Sequence, residues 1–581
     1  MVIDLVKKYG NFFIFLYFIF IVTVLLSPLA CYKVIPSLAD FANHLALLIQ
    51  AKMALLAGQF PLRFAPLEGG GFLYPIFQFY SPTSYIFSSL IYLLITPHNP
   101  LIALMMTFWC GMMLGGIYMY RLSHWLTQSM LGALIASTAY LSAPYYYAIV
   151  VNGFGSLNEA LALGLVPAVL YYTWNVYVFP KKLGFFLKTS LAWYLLITIH
   201  IVTFVYAAFF VGLLLLLMTL KNLTHWKNMC VAGLAGGFGC LMAMWYLAPV
   251  HLIHHYLYLN ASYDDVTNIV KNSVSFKSLL SPKSSFANGP DHILSDARPA
   301  VGWVFLSAAF VCIAFRLFSK KSTWPAALLF LFFIAIFMAW SPINFWNLLP
   351  SSLQVGQYSW RLLGHATWLG ALLVAFAVAQ LERARYGFIG LAGFALLIVL
   401  ALNFTEINIQ PIGITLDGFI NNPKLVYNNN IYEIDYRKNL GLVDYAERNS
   451  IFLENSKFMI RFVPPGFLLN LDQVLPYCTH TNADISCSLI VSDTIHFMEL
   501  PALFYPKLLK VTVNGKSVGY SSIVYKDKLM AGIKPELGVN NIHIQFRGLP
   551  WANWISSVSF FVWAILGMVT LRAYAKINCR I

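Results

Sequence analysis

Long apolar runs alternate with short polar segments along most of this chain. A helix of about 20 apolar residues crosses a bilayer, and the run at 189–219 is long enough for two helices with a break near Thr198–His200. The first run is too long for a signal-peptide core and lacks a cleavage pattern, so we interpret it as a retained span. About 13 spans are therefore predicted. The runs lie near 11–30, 80–95, 101–120, 129–149, 159–178, 189–219, 229–249, 301–318, 325–341, 364–381, 387–403 and 553–571.

Residues 404–552 follow a different pattern. Apolar and polar residues alternate at Lys510–Val513 and Ile542–Phe546, and Asn514-Gly515 is a strong hairpin signal. We predict an α-helical multi-span transmembrane domain at 1–403, a β-rich extracytoplasmic domain at 404–552, and a last transmembrane helix with a cytoplasmic tail at 553–581.

Composition excludes a soluble globular protein, because 59% of the residues are hydrophobic and only 10% are charged. The net charge of +15 does not indicate a nucleic-acid partner. Residues 404–549 carry 13 acidic and 13 basic residues, which leaves nine acidic and 24 basic residues elsewhere. Many of these bases cluster in short loops, which is the positive-inside pattern.

This charge pattern places 31–79, 250–300, 342–363 and 404–552 on the outer side. Strict alternation then puts both Arg121 and Lys181-Lys182 outside. Either one segment between 80 and 120 is re-entrant, or the span count is off by one. Cys478 and Cys487 lie in the outer segment, where a disulfide is plausible.

Asp40 and His44 are the leading catalytic candidates. They lie four residues apart, on one face of a helix expected at about 39–57, and ionisable groups near a bilayer indicate a functional site. A carboxylate can act as general base toward a hydroxyl. The alternative is that Asp40 only caps the helix while His44 faces lipid headgroups.

Four further candidates for substrate binding carry their own alternatives. Glu68, before Gly69–Gly71, binds a metal or sugar or is a solvated loop acid. Glu159 is a site residue or an ordinary first-turn acid. His200 is a donor ligand or a hydrogen-bonded core histidine. Arg361, beside Tyr358 and Trp360, is a phosphate clamp or reaches the headgroups.

Two other features complete the candidates. Tyr80 lies in the segment 69–82, which is aromatic, rich in Gly and Pro and poor in charge, as expected at the rim of a site for a lipid-borne substrate. His251, His254 and His255 have helical spacing and form either a metal site or an interfacial solvated face. The cofactor is left open, with a divalent cation, bound by Asp40, as one option.

Several of these motifs together resemble a bacterial membrane family whose members are often labelled "6-pyruvoyl-tetrahydropterin synthase-related" and are similar to the YfhO-like proteins. The resemblance rests on Asp40-xxx-His44, Gly58–Phe64, Gly69–Gly71 with Tyr74–Pro82, and Tyr358–Leu362, where Ser359 replaces the usual Pro. Weaker matches are Gly153 with Glu159, His200, Leu500–Pro506, Val511–Lys516 and Asn541–Phe546. Nothing in the chain supports pterin chemistry.

The resemblance implies a GT-C-type glycosyltransferase of the bacterial inner membrane, with its active face and β-domain periplasmic or extracellular. It implies a polyprenyl-phosphate sugar donor, Asp40 as general base or metal-binding acid, and Arg361 on the donor phosphate. The acceptor would be a lipid, glycan or protein, and the oligomeric state is undetermined.

Two other functions compete with this prediction. A transporter or flippase would carry ionisable residues at mid-bilayer depth and paired discontinuous helices. A non-catalytic assembly factor for envelope polymers would depend on the β-domain and tolerate loss of Asp40.

Overall fold

The computed structural model describes most of the chain. The described residues are 2–29, 34–36, 38–253, 257, 269, 273–282, 284, 298–318, 324–350, 353–354, 356, 358–384, 386–403, 411–424, 451–454, 459–462, 468–492, 494–525 and 528–578.

The N-terminal two thirds of the chain is helical, because its apolar runs can satisfy their backbone groups in lipid only within helices. A π-helical segment at Pro144–Phe154 separates the sixth and seventh helices. The helices are α1 (Val2–Leu26), α2 (Phe41–Leu56), α3 (Ile76–Phe79), α4 (Pro82–Leu94), α5 (Pro100–Thr127), α6 (Met130–Leu141), α7 (Leu157–Val178), α8 (Leu183–Ile199), α9 (Ile201–Lys221), α10 (Trp226–Met242), α11 (Met244–Ile253), α12 (Phe276–Leu279), α13 (Trp303–Phe318), α14 (Trp324–Trp340), α15 (Leu363–Arg383), α16 (Gly387–Asn403), α17 (Leu416–Asn421), α18 (Leu471–Val474) and α19 (Pro550–Asn578).

Seven helices among the described residues are long and apolar enough to cross a membrane. A further pair, Leu223–Met242 and Met244–Ile253, passes the same test as one span bent by 76°. The prediction of about 13 spans is therefore not confirmed. The seven segments are Phe12–Leu29, Pro100–Thr127, Met130–Phe154, Leu157–Val178, Ile201–Lys221, Ser359–Arg383 and Pro550–Arg572.

Two of the predicted apolar runs divide or shorten in the structure. The 189–219 run breaks at His200 between α8 and α9, as predicted. The 80–95 run forms α4, a helix of 13 residues, which is about 20 Å long and shorter than the hydrocarbon core. The two alternatives for the conflict between residues 80 and 120, a re-entrant segment or a different span count, both stay predictions.

Glycines let the central helices approach closely. A Cβ on Gly164 of α7 would lie 2.2 Å from the Gly111 carbonyl oxygen of α5. Small residues at such contacts allow two membrane helices to pack backbone against backbone. The α5–α7 pair therefore forms a rigid centre for the bundle, and α7 carries Glu159 at its first turn.

The C-terminal region is β-rich, as the alternating pattern predicted. Its strands form a five-stranded sheet of order β10-β9-β13-β7-β6 and a six-stranded sheet of order β4-β3-β11-β12-β8-β5, while β1 pairs with β2. The strands are β1 (Val34–Pro36), β2 (Pro411–Thr415), β3 (Ile451–Glu454), β4 (Met459–Phe462), β5 (Leu468–Leu469), β6 (Cys478–His480), β7 (Ile485–Val491), β8 (Phe497–Leu503), β9 (Leu509–Val513), β10 (Lys516–Val518), β11 (Ser521–Tyr525), β12 (Lys528–Ile533) and β13 (Gly538–Phe546).

Two local predictions for this region are confirmed. Asn514 and Gly515 both have positive φ, 51° and 79°, and connect β9 to β10 as an antiparallel hairpin. Cys478 and Cys487 form a disulfide between the paired strands β6 and β7. The domain boundaries at 404 and 552 stay a prediction.

The segment between α2 and α4 joins the helical bundle to the β-rich region. Phe72 accepts a backbone hydrogen bond from Leu503 (2.9 Å), and Gln59 Nε2 donates to the Asn482 carbonyl oxygen (3.1 Å). Arg63 is 4% exposed and donates to Gln78 Oε1 and to Asn553 Oδ1 at the start of α19. The β-rich region therefore lies at the end of the bundle where α2 begins its connection to α4.

Candidate functional site

Charged and polar side chains from the starts of several helices meet at one end of the bundle. We call Asp40, Tyr80, Tyr145, Glu159 and Arg361 the Asp40 cluster. Asp40 precedes α2, Tyr80 precedes α4, Glu159 lies in the first turn of α7, and Arg361 lies in the 3₁₀ turn before α15. Because helix starts carry partial positive charge, this convergence favours anions.

Asp40 is held next to α7 by its backbone. Its amide nitrogen donates to the Phe154 carbonyl oxygen (2.8 Å), and Gly155, at φ 63°, makes room for Phe41, because a Cβ there would lie 2.9 Å from the Phe41 Cβ. The Asp40 side chain makes no capping hydrogen bond to α2. Asp40 therefore occupies the N-cap position of α2 without using its side chain to cap the helix.

The Asp40 carboxyl has an altered acidity. Burial raises the pKa of Asp40 to about 6, with a lowering contribution from Arg361 and a raising contribution from Glu159. A carboxylate with a raised pKa is a stronger base while it stays mostly ionised at pH 7. This environment suits general-base chemistry.

Glu159 and Arg361 form an ion pair at the centre of the cluster. Arg361 Nε lies 3.6 Å from Glu159 Oε2, with side chains 20% and 8% exposed. Tyr145 donates its hydroxyl proton to Glu159 Oε1 (2.6 Å). Glu159 is thus more than an ordinary first-turn acid, and Arg361 is fixed by a carboxylate instead of extending freely to headgroups.

The turn that carries Arg361 is itself anchored. Tyr358 and Trp360 stack with ring centroids 4.5 Å apart, and the Arg361 guanidinium lies 5.4 Å from the Tyr358 ring. Ser359, where the resembled family has Pro, donates to the Ala339 carbonyl oxygen of α14 (2.6 Å). These contacts hold the turn that carries the guanidinium, which lies within electrostatic range of the Asp40 carboxyl.

His44 lies inside the bundle. It is 2% exposed, and its Nδ1 is 2.7 Å from the Tyr85 hydroxyl. Its ring stacks on that of Tyr80 with centroids 6.3 Å apart. The interpretation that His44 faces lipid headgroups is wrong, and its position behind Tyr80 supports that ring.

Tyr80 lies within electrostatic range of the Asp40 carboxyl. Burial, followed by the charge of Asp40, raises the pKa of Tyr80, so its hydroxyl stays protonated and remains a donor. The structure therefore brings this predicted substrate-binding residue to Asp40.

His200 lies at the edge of the cluster, between α8 and α9. It is 5% exposed, its Nδ1 lies 2.7 Å from the Thr203 hydroxyl, and it is within electrostatic range of Arg361. These contacts are those of a hydrogen-bonded core histidine that also caps α9.

Glu68 is not part of the Asp40 cluster. It is 5% exposed and accepts a hydrogen bond from Gln50 Nε2 (2.7 Å), which also donates to the Pro423 carbonyl oxygen. Gln50 follows Asp40 by ten positions, so it lies about 15 Å farther along the α2 axis. Glu68 is not a solvated loop acid. Its partner Gln50 connects α2 to the segment after α17.

The side chains do not form a dedicated cation site within the described ranges. No three His, Cys, Asp or Glu side chains among the described residues lie close enough to hold a metal ion. Within the Asp40 cluster, Glu159 is paired with Arg361, so Asp40 is the one carboxylate there that could bind a cation. His254 and His255 of the predicted histidine cluster lie outside the described residues.

Sequence reasoning missed Tyr145 and Tyr85. Both are fully buried tyrosines whose hydroxyls contact a predicted site residue, Glu159 and His44 respectively. A signal for Tyr145 exists in Pro144-Tyr145-Tyr146-Tyr147, an uncommon concentration of hydroxyls within an apolar run. The residue Tyr85 carries no comparable signal, because single tyrosines are frequent in this chain.

Comparison with known proteins gives distant structural similarity only. No family model matches the chain, and no curated protein matches it, so the family label suggested by the motifs is not supported. The crystal structure of an oligosaccharyltransferase from Archaeoglobus fulgidus, in the apo form, aligns with 73% of this chain at a TM-score of 0.40 and 11% identity. The alignment covers 61% of that protein. Similarity at this level carries no argument about function, so the function is inferred from this chain's own contacts.

Proposed function

We propose that this protein is a membrane glycosyltransferase that moves a sugar from a polyprenyl-phosphate donor to a hydroxyl acceptor of a lipid, glycan or protein on the outer face of the membrane. The observation that carries the proposal is the convergence of helix starts that holds Asp40 against the end of the segment before α7 and pairs Arg361 with Glu159 in the first turn of α7, which puts Arg361 within electrostatic range of Asp40. It combines a base for the acceptor with a cation for an anionic leaving group. The donor class and the bacterial inner membrane come from the sequence resemblance and belong to the proposal.

In the proposed step, the acceptor oxygen attacks the anomeric carbon and transfers its proton to an Asp40 carboxylate oxygen. The bond from the anomeric carbon to the phosphate oxygen breaks, and its electron pair remains on the polyprenyl phosphate. Atoms and charge balance without a co-reactant. The basicity of Asp40, whose pKa is about 6, favours the proton transfer.

Arg361 stabilises the charge that develops on the phosphate. Its Nε faces Glu159, and its Nη1 donates a long bond to the Gly356 carbonyl oxygen (3.4 Å). A guanidinium has five N–H donors, so donors remain for phosphate oxygens among the described contacts. Tyr145 and Glu159 act as positioning residues for this guanidinium.

The apolar surroundings suit a lipid-borne donor. The candidate spans form an apolar bundle, and the Asp40 cluster lies where helices begin, at its end. A polyprenyl chain in the bilayer would place its phosphate at the level of helix ends, where dipoles and Arg361 favour anions. A water-soluble nucleotide sugar would need no such arrangement.

The decisive experiment compares outer-face glycans and glycolipids by mass spectrometry in cells that express wild type, Asp40→Asn, Asp472→Asn or no protein. Asp472 is an exposed acid of the β-rich region, so its variant controls for the loss of one negative charge. We expect the sugar-sized product to fall by about 10²–10⁴-fold in Asp40→Asn and to persist in Asp472→Asn. An Asp40→Asn strain that matches wild type, while the deletion changes the envelope, would reject catalysis and favour transport or assembly.

A further inference from the structure

The five-stranded sheet has two chemically different faces. Residues of β7 alternate between buried side chains, such as Ile485 and Leu489, and accessible ones, which are the polar Ser486 and Ser488 and, at the end of the strand, the apolar Ile490. The buried set faces the core, whereas the accessible set lies on the opposite side, since alternate residues of a strand point to opposite faces. One side of this sheet is therefore free for recognition.

The accessible side carries a continuous polar row across four strands. Thr479 of β6 pairs with Ser486, Ser486 pairs with His543 of β13, and His543 pairs with Thr512 of β9. Directly paired residues share a face. A second row, two positions along, pairs Ser488 with Asn541. We call these six residues the polar face.

The polar face forms a depression with little charge. An open cavity of about 390 Å³ is lined by the polar face together with Tyr477, Cys487, Gly515 and Ile542, and the lining contains no Asp, Glu, Lys or Arg. Tyr477 is 59% exposed at its rim.

Side chains of the polar face are held in place by one another. Ser486 Oγ lies 3.1 Å from His543 Nδ1, and His543 Nε2 lies 3.5 Å from Asp484 Oδ2. Ser488 donates to Asn541 Oδ1 (2.8 Å), which orients the Asn541 amide nitrogen as a donor. Such preorganisation lowers the entropy cost of binding a polar ligand.

We propose that this depression binds a neutral oligosaccharide. Sugar hydroxyls are both donors and acceptors, as are the hydroxyl, amide and imidazole groups of the polar face, and the exposed Tyr477 ring offers an apolar surface for the carbon face of a sugar ring. An anionic polymer would require Lys or Arg in the lining. The site is independent of the Asp40 cluster, so the proposal does not depend on transfer chemistry.

The orientation of the β-rich region gives this site a place in the molecule. His480, at the end of β6, lies with its Nδ1 3.2 Å from the Gly71 carbonyl oxygen, and its ring lies 6.2 Å from that of Phe72. The polar face therefore borders the segment that connects α2 to α4. An oligosaccharide bound there lies beside the segment that follows the C-terminal end of α2.

Binding is tested on purified full-length protein in nanodiscs, by saturation-transfer NMR and calorimetric titration. The probes are maltohexaose, cellohexaose, chitohexaose and a mannohexaose, with hyaluronan hexasaccharide as an anionic comparison and an unstructured polar peptide as a non-carbohydrate comparison. Variants are Tyr477→Ala and Asn541→Ala, with Lys516→Ala as a matched control. Lys516 is exposed on β10 of the same sheet and lies outside the lining.

We expect saturable binding of at least one neutral hexasaccharide, weakened about five- to tenfold in each of the two lining variants and unchanged in Lys516→Ala. Circular dichroism distinguishes a lost contact from a lost fold, and a Tyr477→Phe variant that retains binding supports ring stacking. Absence of binding by every neutral probe would overturn the proposal, as would stronger binding of hyaluronan or the peptide. Binding that survives in Asp40→Asn separates this site from the transferase.

Discussion

The Asp40 cluster and the polar face are built in opposite ways. The cluster gathers charged groups from distant helix starts and removes them from water, whereas the polar face gathers neutral groups from adjacent strands and leaves them accessible. Desolvated charges acquire altered proton affinities and strong interactions. Neutral accessible groups keep ordinary chemistry and contribute geometry. The first arrangement suits bond-making, and the second suits recognition.

The largest loss of stability and transfer is expected when one partner of the Glu159–Arg361 ion pair is removed. Arg361→Gln leaves the Glu159 carboxylate buried and unpaired, which should lower the free energy of unfolding by about 3 kcal/mol and transfer by about 10²-fold or more. Thermal unfolding and product mass spectrometry measure the two losses.

A double variant separates these two losses. Arg361→Gln with Glu159→Gln removes the unpaired charge while the new carbonyl oxygen can still accept from Tyr145, so stability should recover and transfer should not. Recovery of both would show that Arg361 has only a structural role, which contradicts the contrast between charged and neutral sites.

Sugar transfer and the free energy of unfolding should both depend on pH through the Asp40 carboxyl. Because burial raises the pKa of Asp40 from its ordinary value near 4 to about 6, transfer should rise with pH through about 6 as the base ionises. Between these two values the native state binds more protons than the unfolded state, so the free energy of unfolding falls as pH rises through that window.

The variant Asp40→Asn has no carboxylate to ionise at this buried position. Its free energy of unfolding should therefore exceed that of wild type by about 1–3 kcal/mol at pH 7.5 and by less at pH 4.5. Thermal unfolding of both proteins at the two pH values tests the sign. A difference that does not change with pH would contradict the raised pKa. Oligosaccharide binding by the polar face should be the same in both proteins.

The smallest effect on sugar transfer is expected from loss of the disulfide. Replacing Cys478 and Cys487 by Ser opens the link between β6 and β7, which should destabilise the β-rich region by about 2–3 kcal/mol and weaken oligosaccharide binding. Transfer should change by less than about twofold, because neither cysteine contacts the Asp40 cluster. Cys110→Ser, a free thiol of α5, is the control, and a strong loss of transfer in the disulfide variant would show that the two regions are coupled.

The two regions also differ in how well the sequence predicted them. Strand alternation, the Asn514-Gly515 hairpin and the Cys478–Cys487 pairing follow from short stretches of sequence, since they depend on local backbone preferences and on period-two alternation. Short stretches of sequence also determine three features of the helical part, which are the Asp40-xxx-His44 spacing, the long apolar runs and the break at His200. These features could be predicted, and the structure confirms the helix after Asp40 and the break.

Only tertiary packing decided which ionisable residues meet. Glu68 lies closer to Asp40 in sequence than Glu159 does, yet α2 carries Gln50 and Glu68 away from Asp40, while Gly155 lets α2 begin against the start of α7. Tyr145 acquires its role from a π-helical segment that the apolar pattern does not distinguish from a regular helix. Sequence periodicity fixes which face of an element is apolar, but contacts between distant helix starts depend on close approach, and that is a property of the packed bundle.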